Sequence, residues 1–199
     1  GLQGIPQRRQ WRRKPSGIRP AFVQNHLERD FQATEPNTKW VTDITYIYTA
    51  ERWLYLCVVI DLYGGKVVGW SMSTAQNRHL VLKAVLMACW QRSGRRPVIL
   101  HSDRGTQFTS YEYQQFLNDH HITLSMSAVG HCGDNAPAEG FFGMLKRERV
   151  NRRRYLTVAD ARADVFDYIE GFHNPRIQRR LDSRTNEISA LTHLSAKTG

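Results

Sequence analysis

The sequence predicts an α/β fold in which one mixed five-stranded sheet is flanked by helices. Three observations predict it. Between residues 40 and 73, short apolar runs separated by tight turns describe an antiparallel meander. Downstream, segments with helix-spaced apolar residues alternate with two short apolar runs, as α/β crossovers do. The 199 residues are 41% hydrophobic and 11% aromatic, which suits one sizeable core and excludes a globally disordered chain.

The elements follow in order. Residues 1–20 hold six basic residues, three prolines and no acid, with no periodicity, and residues 1–35 are expected to form a basic arm or linker. Trp40 to Tyr48 alternates polar and apolar residues and predicts a strand. Trp53 to Asp61 is apolar almost throughout and predicts a buried central strand. Tyr63-Gly64-Gly65 turns the chain into a third strand, Lys66 to Ser73. Leu80, Val81, Ala84, Val85, Ala88 and Cys89 recur at helical spacing, which predicts a helix over 78–92. Val98 to His101 and Ile122 to Ser125 are short strands around a helix at 110–119, and a helix is expected from Pro137 to Arg149. The capping box Thr157-x-x-Asp160 starts a last helix, whose buried face is expected to be Val158, Ala161, Val165, Tyr168, Ile169 and Phe172. The catalytic-core expectation spans 36–181, with 182–199 as a divergent C-terminal tail.

Charge points to the partner. Lys and Arg number 28 against 18 acids, a net charge of +10. Residues 1–38 carry +4, residues 39–145 only +1, and residues 146–199 +5. A nearly neutral body with basic edges suits a polyanion, with nucleic acid the first candidate. No run of about 18 apolar residues predicts a membrane span, and no apolar leader segment is expected. Cys57, Cys89 and Cys132 fit neither a disulfide framework nor a zinc pattern, which points to a reducing compartment.

Three carboxylates stand where chemistry is expected. Asp43 lies within the first strand, Asp103 just past the carboxyl end of the fourth, and Glu139 in the first turn of a helix. Ligands gather at the carboxyl ends of strands in open sheets, and a helix N-terminus favours an anion. Converging carboxylates need positive charge to hold them together, and hard oxygen donors select Mg²⁺ or Mn²⁺. Two such ions suit in-line phosphoryl displacement, with a basic rim to grip the phosphates.

The segments WVTDITYI, YLCVVIDLYGGKVVGW, HSDRGTQFTS and SMSAVGHCGDNAPAE resemble the DDE transposases of bacterial insertion sequences, most closely the IS-three group. The catalytic domain of that group is similar to the retroviral integrase core. Thirty-five residues lie between Asp103 and Glu139, matching the group's D,D(35)E spacing. The resemblance implies a ribonuclease-H-like fold and a triad of Asp43, Asp103 and Glu139 holding two Mg²⁺ or Mn²⁺ ions. It implies cleavage and 3′-hydroxyl strand transfer at transposon ends, with double-stranded DNA as partner, a homo-oligomer, and a bacterial cytoplasmic, nucleoid-associated setting. Lys146, seven residues after Glu139, matches the basic residue that contacts the transposon end. Arg147, Arg149, Arg152, Arg153 and Arg154 extend a phosphate-binding stripe. Two departures stand out. Gly140 follows Glu139 where a serine is common. From Phe172 on, the chain does not match the group's Tyr-Asn-x-x-Arg-x-His-x-x-Leu-Gly and Ser-Pro pattern, lacking the histidine before the leucine and the proline of Ser-Pro.

Other polar residues have simpler expected roles. Asp61 closes a strand before a Gly-Gly turn and is read as structural. Asp134 and Asn135 precede a helix and are read as N-cap residues. His101 is read as orienting Asp103 or packing behind it rather than as a metal ligand, and His120, His121 and His131 as loop residues. Trp40, Trp53 and Trp70 are read as core rather than as stacking platforms. A ribonuclease-H-like nuclease and a non-catalytic DNA-binding module are the alternative functions.

Overall fold

The computed structural model describes residues 23–92, 94, 96–103, 105–108, 110–127 and 135–195. Five strands, β1 (Lys39–Tyr48), β2 (Trp53–Asp61), β3 (Lys66–Ser73), β4 (Val98–Ser102) and β5 (Ile122–Met126), form one sheet in the order β3-β2-β1-β4-β5. β1, β2 and β3 pair antiparallel, whereas β4 joins β1, and β5 joins β4, in parallel. The mixed sheet expected from the meander and crossovers is therefore present. β2 is internal, but the middle place belongs to β1.

Helices α1 (Arg78–Gln91) and α2 (Tyr111–Asp119) and helices α3 (Ala136–Glu148) and α4 (Val158–Phe166) serve two separate apolar layers. Alternation along β1 sends Trp40 into the layer with α1 and α2, and Val41 and Ile47 into the layer with α3 and α4. Asn77 caps α1 by accepting from the Leu80 N–H at 3.2 Å. Contact between α1 and β3 depends on Gly69. A Cβ there would run into the Ala84 carbonyl oxygen and lie 2.8 Å from the Ala88 nitrogen.

Thr157 and Asp160 form the expected capping box at α4. Beyond it the helix widens into a π segment, Asp167–His173, before α5 (Asn174–Ser195). The expected stripe holds at Ala161, Val165, Tyr168 and Ile169, but Phe172 is 40% exposed and His173 is buried instead. A wider turn shifts the phase of the face by about one residue, which a 3.6-residue period does not foresee. His173 Nε2 meets the Gly65 carbonyl at 3.0 Å. The Asn174 side chain pairs with both backbone groups of Val67, at 3.0 and 2.9 Å, and so satisfies part of the outer edge of β3. α5 continues past residue 182 without a break, and Leu181 packs over Gly64. The first 22 residues of the expected arm lie outside the described residues.

Two predictions concern stability. Gly69→Ala is expected to cost about 1–3 kcal/mol or more in urea unfolding, because backbone rather than a flexible side chain must give way. Burial, with Arg176 and Arg180 nearby, holds the His173 imidazole below its ordinary value of 6.5. The unfolded chain therefore takes up that proton first as pH falls, and stability present above pH 6.5 is lost below it. His173→Gln is expected to flatten this part of the stability profile between pH 7 and pH 5.

Candidate active site

The parallel register of β1 and β4 sets the site. Lys39 lies opposite Ile99, Trp40 opposite Leu100 and Val41 opposite His101. The ladder ends there, so Asp43 and Asp103 each lie two residues past its last pair, Asp103 just beyond the carboxyl end of β4. Asp43 shares the sheet face of Val41 and Ile47, which α3 covers. Glu139 stands exposed in the first turn of α3, at the helix's positive end.

Asp43 is half-buried and accepts the Ile44 N–H at 2.7 Å. Its carboxyl is pushed up to about 6, chiefly by burial, and the Asp103 and Glu139 carboxylates push it further. The Ile44 N–H and the Lys146 ammonium act the other way. These three acids and one lysine therefore share one field. Asp103 is exposed, its Oδ1 accepting the Gly105 N–H at 3.0 Å. Among the described residues, no three His, Cys, Asp or Glu side chains are already grouped as a metal cage.

The donor set fits a hard divalent cation: it offers carboxylate oxygens alone, and the ionised form of Asp43 lacks enough compensating positive charge. His101 is fully buried, and its ring nitrogens bond the hydroxyls of Ser125 and Ser127 at 2.9 and 3.1 Å. It ties β4 towards β5 and leaves no ring nitrogen for a metal. Asp61 accepts the N–H groups of Asn37 and Tyr63, at 2.9 and 3.2 Å, in the structural role expected of it.

Asn135 corrects an expectation. It occupies the N-cap position of α3 but makes no capping hydrogen bond. Its Nδ2 instead donates to the Thr42 carbonyl at 3.1 Å, one residue before Asp43. The side chain thus pins the start of the Glu139 helix to the strand that carries Asp43, while Pro137 in the first turn supplies helix-compatible φ. Asp134, His131 and Cys132 lie outside the described residues.

The basic residues divide. Arg149 pairs with Asp164 at 3.2 Å and Asp167 at 3.0 Å and lies over the Tyr168 ring, so internal partners hold it. Arg153, half-exposed, also reaches Asp164, at 2.7 Å. Arg152 bonds the Arg147 carbonyl at 3.0 Å, and Arg147, Arg152 and Arg154 are exposed. Lys146 stands 4.9 Å over the ring of Tyr46. Trp40 is core as expected, and Trp70 is half-buried with its Nε1–H on Glu170. Trp53 is not core: it is 45% exposed, with Tyr46 and Tyr48 edge-on to it. The sequence reading missed this cluster because β2 looks uniformly apolar. Its signal is the i, i+2 tyrosine pair at the end of β1, since one strand face bearing two tyrosines here outruns the helices.

A family model described as an integrase core domain matches residues 33–132, and a second with the same description matches residues 139–195. The transposase InsF for insertion sequence IS3A of Escherichia coli is 48% identical over 151 residues, 76% of this chain and 52% of that protein. The chain therefore spans about half the length of that curated relative. In structure, it is similar to a chain of the simian T-cell lymphotropic virus intasome in complex with a PP2A regulatory subunit. There the TM-score is 0.61 at 19% identity, covering 80% of this chain and 55% of the other. The HTLV-2 integrase catalytic core in complex with magnesium gives a TM-score of 0.53 at 21% identity, covering 71% of this chain and 92% of that one. These likenesses agree with the ribonuclease-H-like sheet. With half of its length matched by one family model and the fold in agreement, this chain belongs to the integrase core family, beside the transposases of IS3-type insertion sequences.

Proposed function

We propose that the chain is the catalytic core of a DDE transposase, cutting DNA at transposon ends and joining the freed 3′-hydroxyl to a second phosphodiester. One observation carries the reading: the carboxylates of Asp103, just past a strand end, and Glu139, at a helix start, both act on the Asp43 carboxyl in β1. These three carboxylates would hold Mg²⁺ or Mn²⁺, two ions in this reading. When bound, the ions supply Lewis acidity and a deprotonated nucleophile for in-line displacement.

The chain's own residues do the rest. Ionised Asp43 and Asp103 offer adjacent oxygens, and the Ile44 N–H fixes the rotation of the Asp43 carboxyl. Asn135 holds the first turn of α3 against β1, which fixes Glu139 relative to Asp43. Lys146 has a positive charge in the same field, placed to meet a phosphate beside the reacting one. Exposed Arg147, Arg152, Arg153 and Arg154 extend the contact with the double-stranded DNA of transposon ends and target. Arg149 contributes by fixing the segment that carries them. A homo-oligomer bridging two ends, working at the bacterial nucleoid, completes the reading. Among the described residues, no helix is long and apolar enough to cross a membrane.

A labelled branched oligonucleotide that mimics a strand-transfer product tests the activity. The protein with Mn²⁺ or Mg²⁺ is expected to reseal the target strand. Asp103→Asn is expected to lower that rate by roughly 10³-fold, the scale on which loss of transition-state charge stabilisation is felt. Cutting without resealing would favour a nuclease, and binding without reaction a non-catalytic module.

Asp43 gives a second test. Its carboxyl is raised in the folded chain, so the native state binds this proton more tightly than the unfolded one. Stability is therefore lost as pH rises from about 4 through about 6. In metal-free buffer at pH 8, Asp43→Asn is expected to raise unfolding stability by about 1–2 kcal/mol, after discounting for solvent screening. Mg²⁺ is expected to raise the Tm of the parent and not of the variant. Equal Mg²⁺ responses would remove Asp43 from the metal-holding set.

A further inference from the structure

After Val41, β1 has no β4 neighbour, and beyond the acidic residues a cleft of about 340 Å³ opens between the end of the β1–β2 hairpin and the segment that follows α3. Tyr46, Tyr48 and Trp53 line one side, and Lys146, Arg153 and Arg154 line the other. The aromatic side is unusually bare for so much apolar surface, with exposures of 58%, 63% and 45%. Tyr46 and Tyr48 meet Trp53 edge-on at centroid distances of 5.2 and 5.1 Å, so the three rings brace one another with ring surface still open. Among the described residues, no carboxylate lines the cleft. Its far wall is anchored: Tyr155 pairs with Thr49 as an isolated bridge, and the Ala50 N–H donates to the Tyr155 carbonyl at 3.0 Å.

We propose that this cleft holds unpaired nucleotides of the DNA strand whose backbone reaches the acidic cluster, the aromatic rings stacking on bases and the basic side chains meeting phosphates. The inference rests on the transposase reading above and adds to it a site for single-stranded DNA. Cationic and aromatic walls together are the chemistry that holds single strands without reading their sequence. A purely protein partner would have to desolvate Lys146 and Arg154 in a cleft whose described lining offers no acid, Arg153 being held by Asp164.

Continuity with the acidic site carries the argument further. Lys146 lies over the Tyr46 ring and also acts on the Asp43 carboxyl, so one side chain belongs to both places. Tyr46 is three residues along β1 from Asp43, about 10 Å at strand rise, and Tyr48 is two residues further. The rings therefore stand on the other sheet face, and Lys146 from α3 reaches Tyr46 past the edge of β1 that β4 leaves open. A strand with a phosphodiester at the carboxylates would reach the rings around that open edge within a few nucleotides. Bases can stack there only when unpaired, so the cleft selects DNA whose ends are frayed or tailed over fully paired DNA.

Binding of three labelled DNAs to the full chain, read by fluorescence anisotropy, tests this. They are a blunt duplex, the same duplex with a short single-stranded tail, and that tail with its bases removed. The tailed duplex is expected to bind about tenfold tighter than the blunt one, and the abasic tail to lose most of that gain, in line with stacking on aromatic side chains. Trp53→Leu and Tyr48→Leu, made separately and checked by circular dichroism, are expected to abolish the preference while leaving blunt-duplex affinity and its salt dependence unchanged. Replacing Arg153 and Arg154 with Gln is expected to weaken all three DNAs and flatten the salt dependence. An equal gain from the abasic tail, or an undiminished preference in both leucine variants, would overturn the proposal. So would variants that alter self-association and not DNA binding. Branch resealing by the parent separates the two readings. A parent that prefers the tail but reseals nothing keeps the cleft and refutes the catalytic reading; one that reseals but ignores the tail refutes the cleft alone.

Discussion

The pairing of β1 on both of its edges is the constraint on which the rest of the structure depends. On one side it runs antiparallel to β2 over its whole length, and on the other it runs parallel to β4 for three residues only. The antiparallel ladder fixes which side chains of β1 face which layer, because a one-residue slip would exchange the two faces. The short parallel ladder then fixes how far β4 reaches, and so where Asp103 leaves the sheet relative to Asp43. A longer β4 pairing would cover the flank of β1 where Lys146 and the aromatic rings now stand. The acidic cluster and the cleft beside it thus come from one decision, the place where β4 stops.

Helix α3 is positioned against that strand by two means of different kinds. Ala138, Phe141, Phe142 and Leu145 bury its apolar face on the sheet, which sets its height but not its rotation or axial position closely. The Asn135 amide on the Thr42 carbonyl supplies the directional restraint, at the end of the helix where Glu139 sits. At the other end, Asp164 gathers Arg149, Arg153 and the Tyr155 hydroxyl, which donates to it at 2.6 Å. A carboxylate this deeply buried is tolerable because its oxygens are met by cations and a hydroxyl. The positive charge of residues 146–199 is therefore not all available to a ligand, since part of it binds the fold to itself.

The sequence made most elements legible because their signals were local. Strand alternation, the Gly64-Gly65 turn, the capping box and helix periodicity each act within a few residues, and each appears where expected. Spacing singled out Asp43, Asp103 and Glu139, and Asp43 and Asp103 each fall two residues past the last pair of the β1–β4 ladder. What stayed hidden required distant partners. Asn135 looked like a cap because caps are read from neighbours, yet its partner is in β1. Phe172 looked buried because an unbroken helix was assumed, and the π segment rotated it out in favour of His173. Trp53 looked like core because apolar runs do not reveal where the covering helices end.

Asp43 shows why such a site keeps an unfavourable arrangement. Burial and two like charges oppose its ionised form, and a single lysine does not offset them. A purely structural position would have relaxed to a neutral or apolar side chain, as the neighbouring positions of β1 have. Local disagreement of this kind, in a chain whose other elements agree with their surroundings, is where function is expected to reside. The same reasoning applies to the exposed rings beyond it, whose apolar surface opposes exposure just as the carboxyl opposes burial. Lys146 sits between these two costly features and touches both fields. A ligand that is anionic along its backbone and aromatic along its side suits Lys146 and the rings, and a strand of DNA has that pattern. The Asp43 carboxyl instead calls for positive charge of the kind a divalent cation supplies.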